Sequence, residues 1–520
     1  MSFPHFTADQ IHPLIAGAII VAISVFLFNA GSRKTGLAFL FFGSVVFGFF
    51  IANLDHFLIL WDEQYHALVA KNMLVNPFKP TLYSVPLLQY DYRNWSGNYI
   101  WLHKQPLFLW QIALSLKLFG INTLAVRIPS IVMHAVAVLM IYRIGKIADN
   151  RNTGFYGALF FALAYYPLEL VAGKYATDHN DLAFLFYVTS GFWAWFEYQH
   201  SKKSGWVVAV GLFSGCAVLV KWMPGLLIYA VWILTIVIER GPVKWKLKSY
   251  LPFFISIAIS SLIVIPWQLY IFHVYPLEAG YEFRLNTEHV FHAVENHAGD
   301  LWFHFKALKD IYGSGDLIPW LLLLGVVTFI TKAGKNTYRV AIGVAIMITY
   351  VFYSVVATKM ISFCIIVSPF AFLGLGALTD VVFCFLKRKI PNRIFNYIFT
   401  SLALLFICFS MLNLSKIQKR HTDWNPRENN GRAESQREMN LIRKLLAQLH
   451  DEKYAVFNTA LATNGQIPVM FYTNYIAYDI VPNEKQIEEI RKQSYKVAIV
   501  DNDNLPAFIY RDEGIIKVKP

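Results

Sequence analysis

The sequence predicts an α-helical polytopic membrane protein with about twelve spanning helices and a small C-terminal soluble α/β domain. Three observations carry that expectation. Apolar residues make up 56% of the 520 and charged residues only 15%, against about 25% charged in an ordinary soluble chain. Apolar runs of roughly 20 residues, long enough to cross a hydrocarbon core, recur from residue 11 to residue 413. Beyond residue 414 the chain turns polar. The excess of 46 basic over 33 acidic residues, +13 in all, suits loops facing anionic lipid. Basic residues never cluster with exposed aromatics in one polar stretch, so nucleic acid is not an expected partner. Cys216, Cys364, Cys384 and Cys408 lie in apolar runs without CxxC or metal-ligand spacing, which excludes a disulfide scaffold and a structural zinc site.

The expected spans lie near 11–30, 35–54, 124–143, 154–172, 181–199, 206–220, 223–238, 249–271, 316–331, 340–357, 362–385 and 394–413. No basic region precedes the first and another span follows at once, so it does not read as a signal peptide. Alternate loops hold the basic residues: Arg33 and Lys34; Arg143, Lys146 and Arg151; Lys202 and Lys203; Arg240, Lys244, Lys246 and Lys248; Lys332, Lys335 and Arg339; and Lys387, Arg388, Lys389 and Arg393. Only Asp149 and Glu239 oppose them, which predicts that these loops are cytoplasmic. Keeping 31–34 and 239–248 on one side requires two spans within 206–238, broken around Lys221 to Gly225, where Pro224 and Gly225 permit a turn. Both termini and two long loops, 55–123 and 272–315, then lie outside.

Residues 1–413 thus read as the membrane domain and 414–520 as an external domain. The latter is expected to open with a turn-rich basic linker from Lys416 to Arg432. An amphipathic helix follows, with Ile442, Leu445, Leu446 and Leu449 on one face. Strand-like runs at 454–458, 475–481 and 495–500 flank a helical pattern at 484–493, which makes this a small α/β unit.

The unusual polar residues concentrate in the external loops. The first loop opens Trp61-Asp62-Glu63-Gln64-Tyr65, and apolar spacing through Val69 predicts a short helix on the membrane surface. Adjacent carboxylates beneath a span are costly unless used, although acids also cap helix N-termini. The loop closes with His103-Lys104-Gln105-Pro106, where His103 is a candidate metal ligand and Lys104 a candidate phosphate holder. An interfacial lysine beside aromatic anchors is the plainer reading. Lys174, Asp178, His179 and Asp181 crowd one tight turn, where ordinary turn chemistry competes with function. Lys221 sits at an external hairpin, either snorkelling or binding an anion. In the second loop, Glu288 precedes His289, which shares i, i+3 spacing with His292, a pattern open to metal binding. There is no HExxH, no phosphate-binding glycine loop and no serine nucleophile motif, so no nucleotide cofactor is expected.

The order of these pieces resembles the polytopic GT-C glycosyltransferases, in particular protein O-mannosyltransferases and the lipid A aminoarabinose transferase. The shared features are the acid pair, Lys-x-Pro-Leu at 104–107, Arg127-Ile128-Pro129-Ser130, the Thr-Asp turn, the Lys221 hairpin, Pro266-Trp267, the Glu288-His289 pair and Thr358-Lys359-Met360. The resemblance implies a sugar donor linked to polyprenyl phosphate, a lipid, glycan or protein acceptor, and inverting transfer at the external face of a bacterial inner membrane. It implies Asp62 as the catalytic carboxylate with Glu63 beside it, and Asp178 and Asp181 competing for one further acidic position. Lys104, Lys174, Lys221 and Arg127 would surround the departing phosphate. His103 and His289 would hold a divalent metal ion, and Tyr65 and Lys359 would complete the surroundings. A polyprenyl-lipid transporter or flippase is the alternative. Transporters place ionisable groups mid-membrane and show repeated halves, whereas here no repeat stands out and the candidates lie in loops.

Overall fold

The computed structural model describes residues 6–173, 179–240, 250–295, 297–313, 315–332, 336–390, 392–423, 431–450, 453–460 and 464–520. Helices α1 (Ala8–Asn29) and α2 (Arg33–Ala52) form an antiparallel pair, followed by the surface helices α3 (Asp62–Met73) and α4 (Pro106–Phe119). Next come α5 (Thr123–Ala148), α6 (Arg151–Leu163), α7 (Tyr165–Glu169), α8 (His179–Ser201), α9 (Gly205–Lys221) and α10 (Leu227–Arg240). Then follow α11 (Leu251–Val274), α12 (Pro276–Phe291), α13 (Phe303–Lys306), α14 (Leu308–Tyr312), α15 (Ile318–Thr331), α16 (Thr337–Val355), α17 (Ser368–Lys389) and α18 (Arg393–Leu412).

Every expected span is helical, but among the described residues only seven helices are both long and apolar enough to cross a membrane. The others fall short for visible reasons. The run at 154–172 breaks where Ala164 turns extended, just ahead of Pro167. The run at 223–238 opens with a 3₁₀ turn, Met223–Leu226, and α15 has only 14 residues.

Small residues let the helices approach closely, as lipid-embedded packing favours. A side chain added at Gly154 of α6 would come within 2.4 Å of the Tyr142 carbonyl of α5, and one at Gly376 of α17 within 2.7 Å of the Gly157 amide. At one end of this bundle, basic residues of two of the loops expected to be cytoplasmic meet acids. Lys332 pairs with Asp149 at 2.7 Å and with Asp380 at 3.0 Å, Arg339 reaches Asp149 at 2.7 Å, and Arg143 pairs with Glu197.

The segment read as a turn-rich linker is helical instead as far as Asp423 (α19, Leu414–Asp423), after a left-handed Asn413. On α20 (Gly431–Gln448) the buried face is Leu441, Ile442, Leu445 and Leu449, while Leu446 is 50% exposed. The sheet is four-stranded and parallel among the described residues. It comprises β1 (Tyr454–Phe457), β2 (Ile476–Tyr478), β3 (Lys496–Val500) and β4 (Ile515–Val518) in the order β2-β1-β3-β4. Helices α21 (Gln466–Tyr472), α22 (Glu484–Lys492) and α23 (Ala507–Arg511) make the crossovers that parallel strands require.

This domain sits on the first long loop. The Tyr472 hydroxyl meets Thr123 Oγ1 at 2.8 Å and accepts from the Leu58 amide at 3.2 Å. The Tyr478 ring stacks on Tyr83 at 5.1 Å. Lys71, at the end of α3, donates to the carbonyls of Met470, Phe471 and Thr473.

Candidate active site

Asp62 is the first residue of α3, and Trp61 before it holds φ at +69°. A bulky aromatic in that region is strained, and such outliers collect where function fixes the backbone. The Asp62 carboxylate faces Lys104 Nζ at 3.5 Å, and the two side chains are 22% and 23% exposed. The charged pair is therefore partly open to solvent rather than part of the core.

Glu63 points elsewhere. It is fully buried against Arg127, with Nε to Oε1 at 2.7 Å and Nη2 to Oε2 at 2.9 Å, and it accepts the Ile59 amide at 2.6 Å. The remaining Arg127 donors go to the carbonyls of Ala52, Asp55 and Phe57. Both expectations for this pair are corrected: with its guanidinium spent and its exposure at 0%, Arg127 has no hydrogen left for a phosphate. Glu63 is its buried partner and not a second acid beside Lys104.

Lys221 ends α9, and Trp222 after it repeats the strained backbone with φ at +64°. Its ammonium pairs with Asp181 on the first turn of α8 and lies over the Phe363 ring at 5.3 Å. Lys174 and Asp178 lie outside the described residues.

His103 stacks on Trp95 at 4.5 Å and approaches the buried Glu282 of α12 at 3.3 Å. His289 bonds Thr358 Oγ1 at 3.2 Å. Burial holds His289 below the usual histidine range; Glu295 opposes the shift, while His103, Lys104 and Lys221 push the same way as burial. Groups from both loops and the α9 hairpin thus act electrostatically on His289. The two histidines do not share a ligand set. Among the described residues no three His, Cys, Asp or Glu side chains converge as metal ligands. His103 with Glu282 offers two, fewer than the three a catalytic zinc site uses, so no step below passes through a metal.

The other candidates play supporting parts. Tyr65 is buried between Trp95 and Trp101 and donates to the Ser96 carbonyl at 3.2 Å, and that burial raises its pKa far above normal. Lys359 is buried, not at a phosphate site: its ammonium caps α16 by donating to the carbonyls of Tyr353, Ser354 and Val356. Glu288 is exposed. Thr358 stitches the second loop to α16 by accepting the Val294 amide and donating to the His292 carbonyl. Sequence reasoning missed Glu282, one of three acids on α12 and the buried one, and the Trp95 platform under His103.

Residues 103–270 match the dolichyl-phosphate-mannose-protein mannosyltransferase family. An undecaprenyl phosphate-alpha-4-amino-4-deoxy-L-arabinose arabinosyl transferase of Pseudomonas paraeruginosa is 27% identical over 229 residues, 41% of this chain and 38% of its own. The chain spans little more than a third of the length of the curated relatives it matches. Among solved structures, ArnT from Cupriavidus metallidurans in the apo state superposes with a TM-score of 0.62 at 13% identity, covering 88% of this chain and 87% of that one. The same protein bound to undecaprenyl phosphate gives 0.58 at 15% identity, covering 88% of each chain. The apo oligosaccharyltransferase of Archaeoglobus fulgidus gives 0.59 at 13% identity, covering 89% of this chain and 69% of its own. The fold is therefore that of a GT-C-like polytopic membrane protein carrying a small C-terminal α/β domain.

Proposed function

We propose that this protein is an inverting membrane glycosyltransferase that moves a sugar from a polyprenyl-phosphate carrier to a lipid, glycan or protein acceptor. The observation that carries the reading is the partly exposed Asp62–Lys104 ion pair at 3.5 Å, with Lys104 and Lys221 both acting electrostatically on His289. Support comes from the relatives. The matched family is described by a dolichyl-phosphate donor, the Pseudomonas transferase by undecaprenyl phosphate, and one solved neighbour was captured with that lipid.

The chemistry follows from the charges. The acceptor atom attacks the anomeric carbon while the bond from that carbon to the phosphate oxygen breaks, and the bonding pair leaves with the phosphate. In this reading Lys104 and Lys221 are the fixed cations that stabilise that growing negative charge, usually the largest catalytic term in a water-poor site. Asp62 takes the acceptor proton, or orients an acceptor that is already anionic; general-base help of this kind is worth about 10²–10⁴-fold. A membrane-bound donor explains a site at the interface; the distribution of basic loops assigns it to the non-cytoplasmic face, and the likeness to the Pseudomonas transferase supports a bacterial inner membrane, whose external face is periplasmic.

The test is sugar transfer in membranes supplied with polyprenyl-phosphate-linked sugars, comparing the protein with Asp62→Asn at matched abundance. Transfer should fall by about 10²-fold or more. Transfer that survives the substitution would remove Asp62 from the chemistry, and no transfer by the unaltered protein across a broad donor panel would remove the enzymatic reading.

A further inference from the structure

The far end of α3 borders a second hollow that the transfer chemistry does not use. Lys71 lies nine residues beyond Asp62, about 13 Å along the helix axis at 1.5 Å per residue. Between this end of α3, residues 74–84 and the docked α/β domain is a cavity of about 570 Å³. A smaller one of about 300 Å³ adjoins it through Lys71, Ile121 and residues 473–475. Asp62, Lys104 and Lys221 line neither.

The lining has a consistent chemistry. Among the described residues, Lys71, Lys79 and His450 contribute to the two walls and no Asp or Glu does; the Lys71 hydrogens go to the carbonyls of Met470, Phe471 and Thr473, so Lys79 is the cation free to donate to a ligand. Lys79 lies over the Tyr99 ring at 5.0 Å and makes no ion pair among the described residues. Asn72, Thr81, Ser84 and Asn474 add amide and hydroxyl groups of the kind that bind phosphate oxygens and sugar hydroxyls. A hollow lined by one sign of charge concentrates the opposite ion. Its volume lies within the roughly 300–1,000 Å³ usual for small-molecule sites, far more than a bare phosphate fills.

The rim is apolar. Val75 is 92% exposed on one lip, and Ile121 lies on the other, immediately past α4, whose Leu118 and Phe119 are 66% and 57% exposed. Exposed apolar surface beside a bundle that crosses the membrane belongs against acyl chains. A ligand with an anionic, hydroxyl-bearing head and apolar tails satisfies both parts at once.

We infer that this pair of cavities binds the phosphate-bearing headgroup of a membrane lipid, with its acyl chains leaving over Val75, Ile121 and Phe119. The test uses the purified full-length protein and native mass spectrometry with dihexanoyl phosphatidylglycerol, against the phosphatidylcholine of equal chain length. One phosphatidylglycerol should be retained at least tenfold more tightly than phosphatidylcholine. Lys79→Glu should weaken it at least fivefold, and Asp62→Asn should leave it unchanged. Asn474→Asp, a near-isosteric change on a residue that lines both cavities, should weaken it likewise and serves where Lys79→Glu fails to fold. Equal retention of the two lipids, or retention untouched by a folded variant, overturns the assignment. Displacement by an equal concentration of glycerol phosphate would show a soluble-anion site and overturns the lipid.

Discussion

Asp62 and Glu63 are adjacent in the chain and opposite in role. Successive helical residues turn by about 100°, so one carboxylate at the start of α3 faces Lys104 and its neighbour faces the core. Glu63 with Arg127 forms a buried, bidentate pair that ties α3 to α5 and gathers the carbonyls of residues 52, 55 and 57. Breaking such a pair strands a buried charge at a cost of about 3–5 kcal/mol. Glu63→Gln should therefore lower the thermal unfolding temperature of the purified protein and its yield. Asp62→Asn, on a side chain that is 22% exposed, should leave both close to those of the unaltered protein. Equal unfolding temperatures for the two variants would contradict the division of labour. The sequence carries the residue types of the site but not their facing. Three lysines and an arginine look alike as phosphate holders until burial sorts Arg127 into a clamp.

At the scale of elements, α3 acts as a beam between the Asp62–Lys104 pair and the α/β domain. Its N-terminal end presents Asp62, and at its C-terminal end the Lys71 ammonium accepts the role of a C-cap for α21, a position favourable to cations. Burial draws the Lys71 pKa down to about 8, yet three carbonyls of the docked domain receive its hydrogens. Lys71→Met keeps the aliphatic stem and removes those donors, leaving partly buried carbonyls unsatisfied at about 1–3 kcal/mol. Amide exchange should quicken in α21 and around Leu58, which bonds Tyr472, while the Asp149 end of α5 stays protected. Unchanged exchange in α21 would mean that the Tyr472 and Tyr478 contacts alone hold the domain. The strands at 454–457, 476–478 and 496–500 were legible from β-branched and aromatic runs, whereas β4 was not: Ile515 to Val518 is short and interrupted by Lys517. The parallel pairing is a long-range fact that local pattern does not encode.

Over the whole molecule, hydropathy located every spanning segment but overstated how many are long and apolar, because a run broken at Ala164 or started by a 3₁₀ turn scores like an unbroken helix. Charge predicts that the basic loops share one side, and Arg143, Lys332 and Arg339 from two of them lie at the end of α5 remote from Asp62, about 39 Å along a 26-residue helix. There Asp149, Lys332, Arg339 and Asp380 lock α15, α16 and α17 against the turn between α5 and α6, with Asn150 and Asn152 bonding Asp380 at 2.9 and 3.0 Å. This network separates the two functional readings. A transporter must open its two ends in alternation, so a clamp at one end would gate turnover. In a transferase that works at the other interface the clamp only holds the bundle together. Asp380→Ala removes one acid from Lys332 and the partner of two amides, at about 1.5–3 kcal/mol for hydrogen bonds to a charged group. The purified variant should unfold at a lower temperature, and its sugar transfer per folded molecule should stay within about twofold of the unaltered protein, since sites this far apart act additively. A fall in transfer that outruns the loss of folded protein would show that the remote end moves in each catalytic cycle, and would favour a mechanism in which the bundle rocks around the lipid.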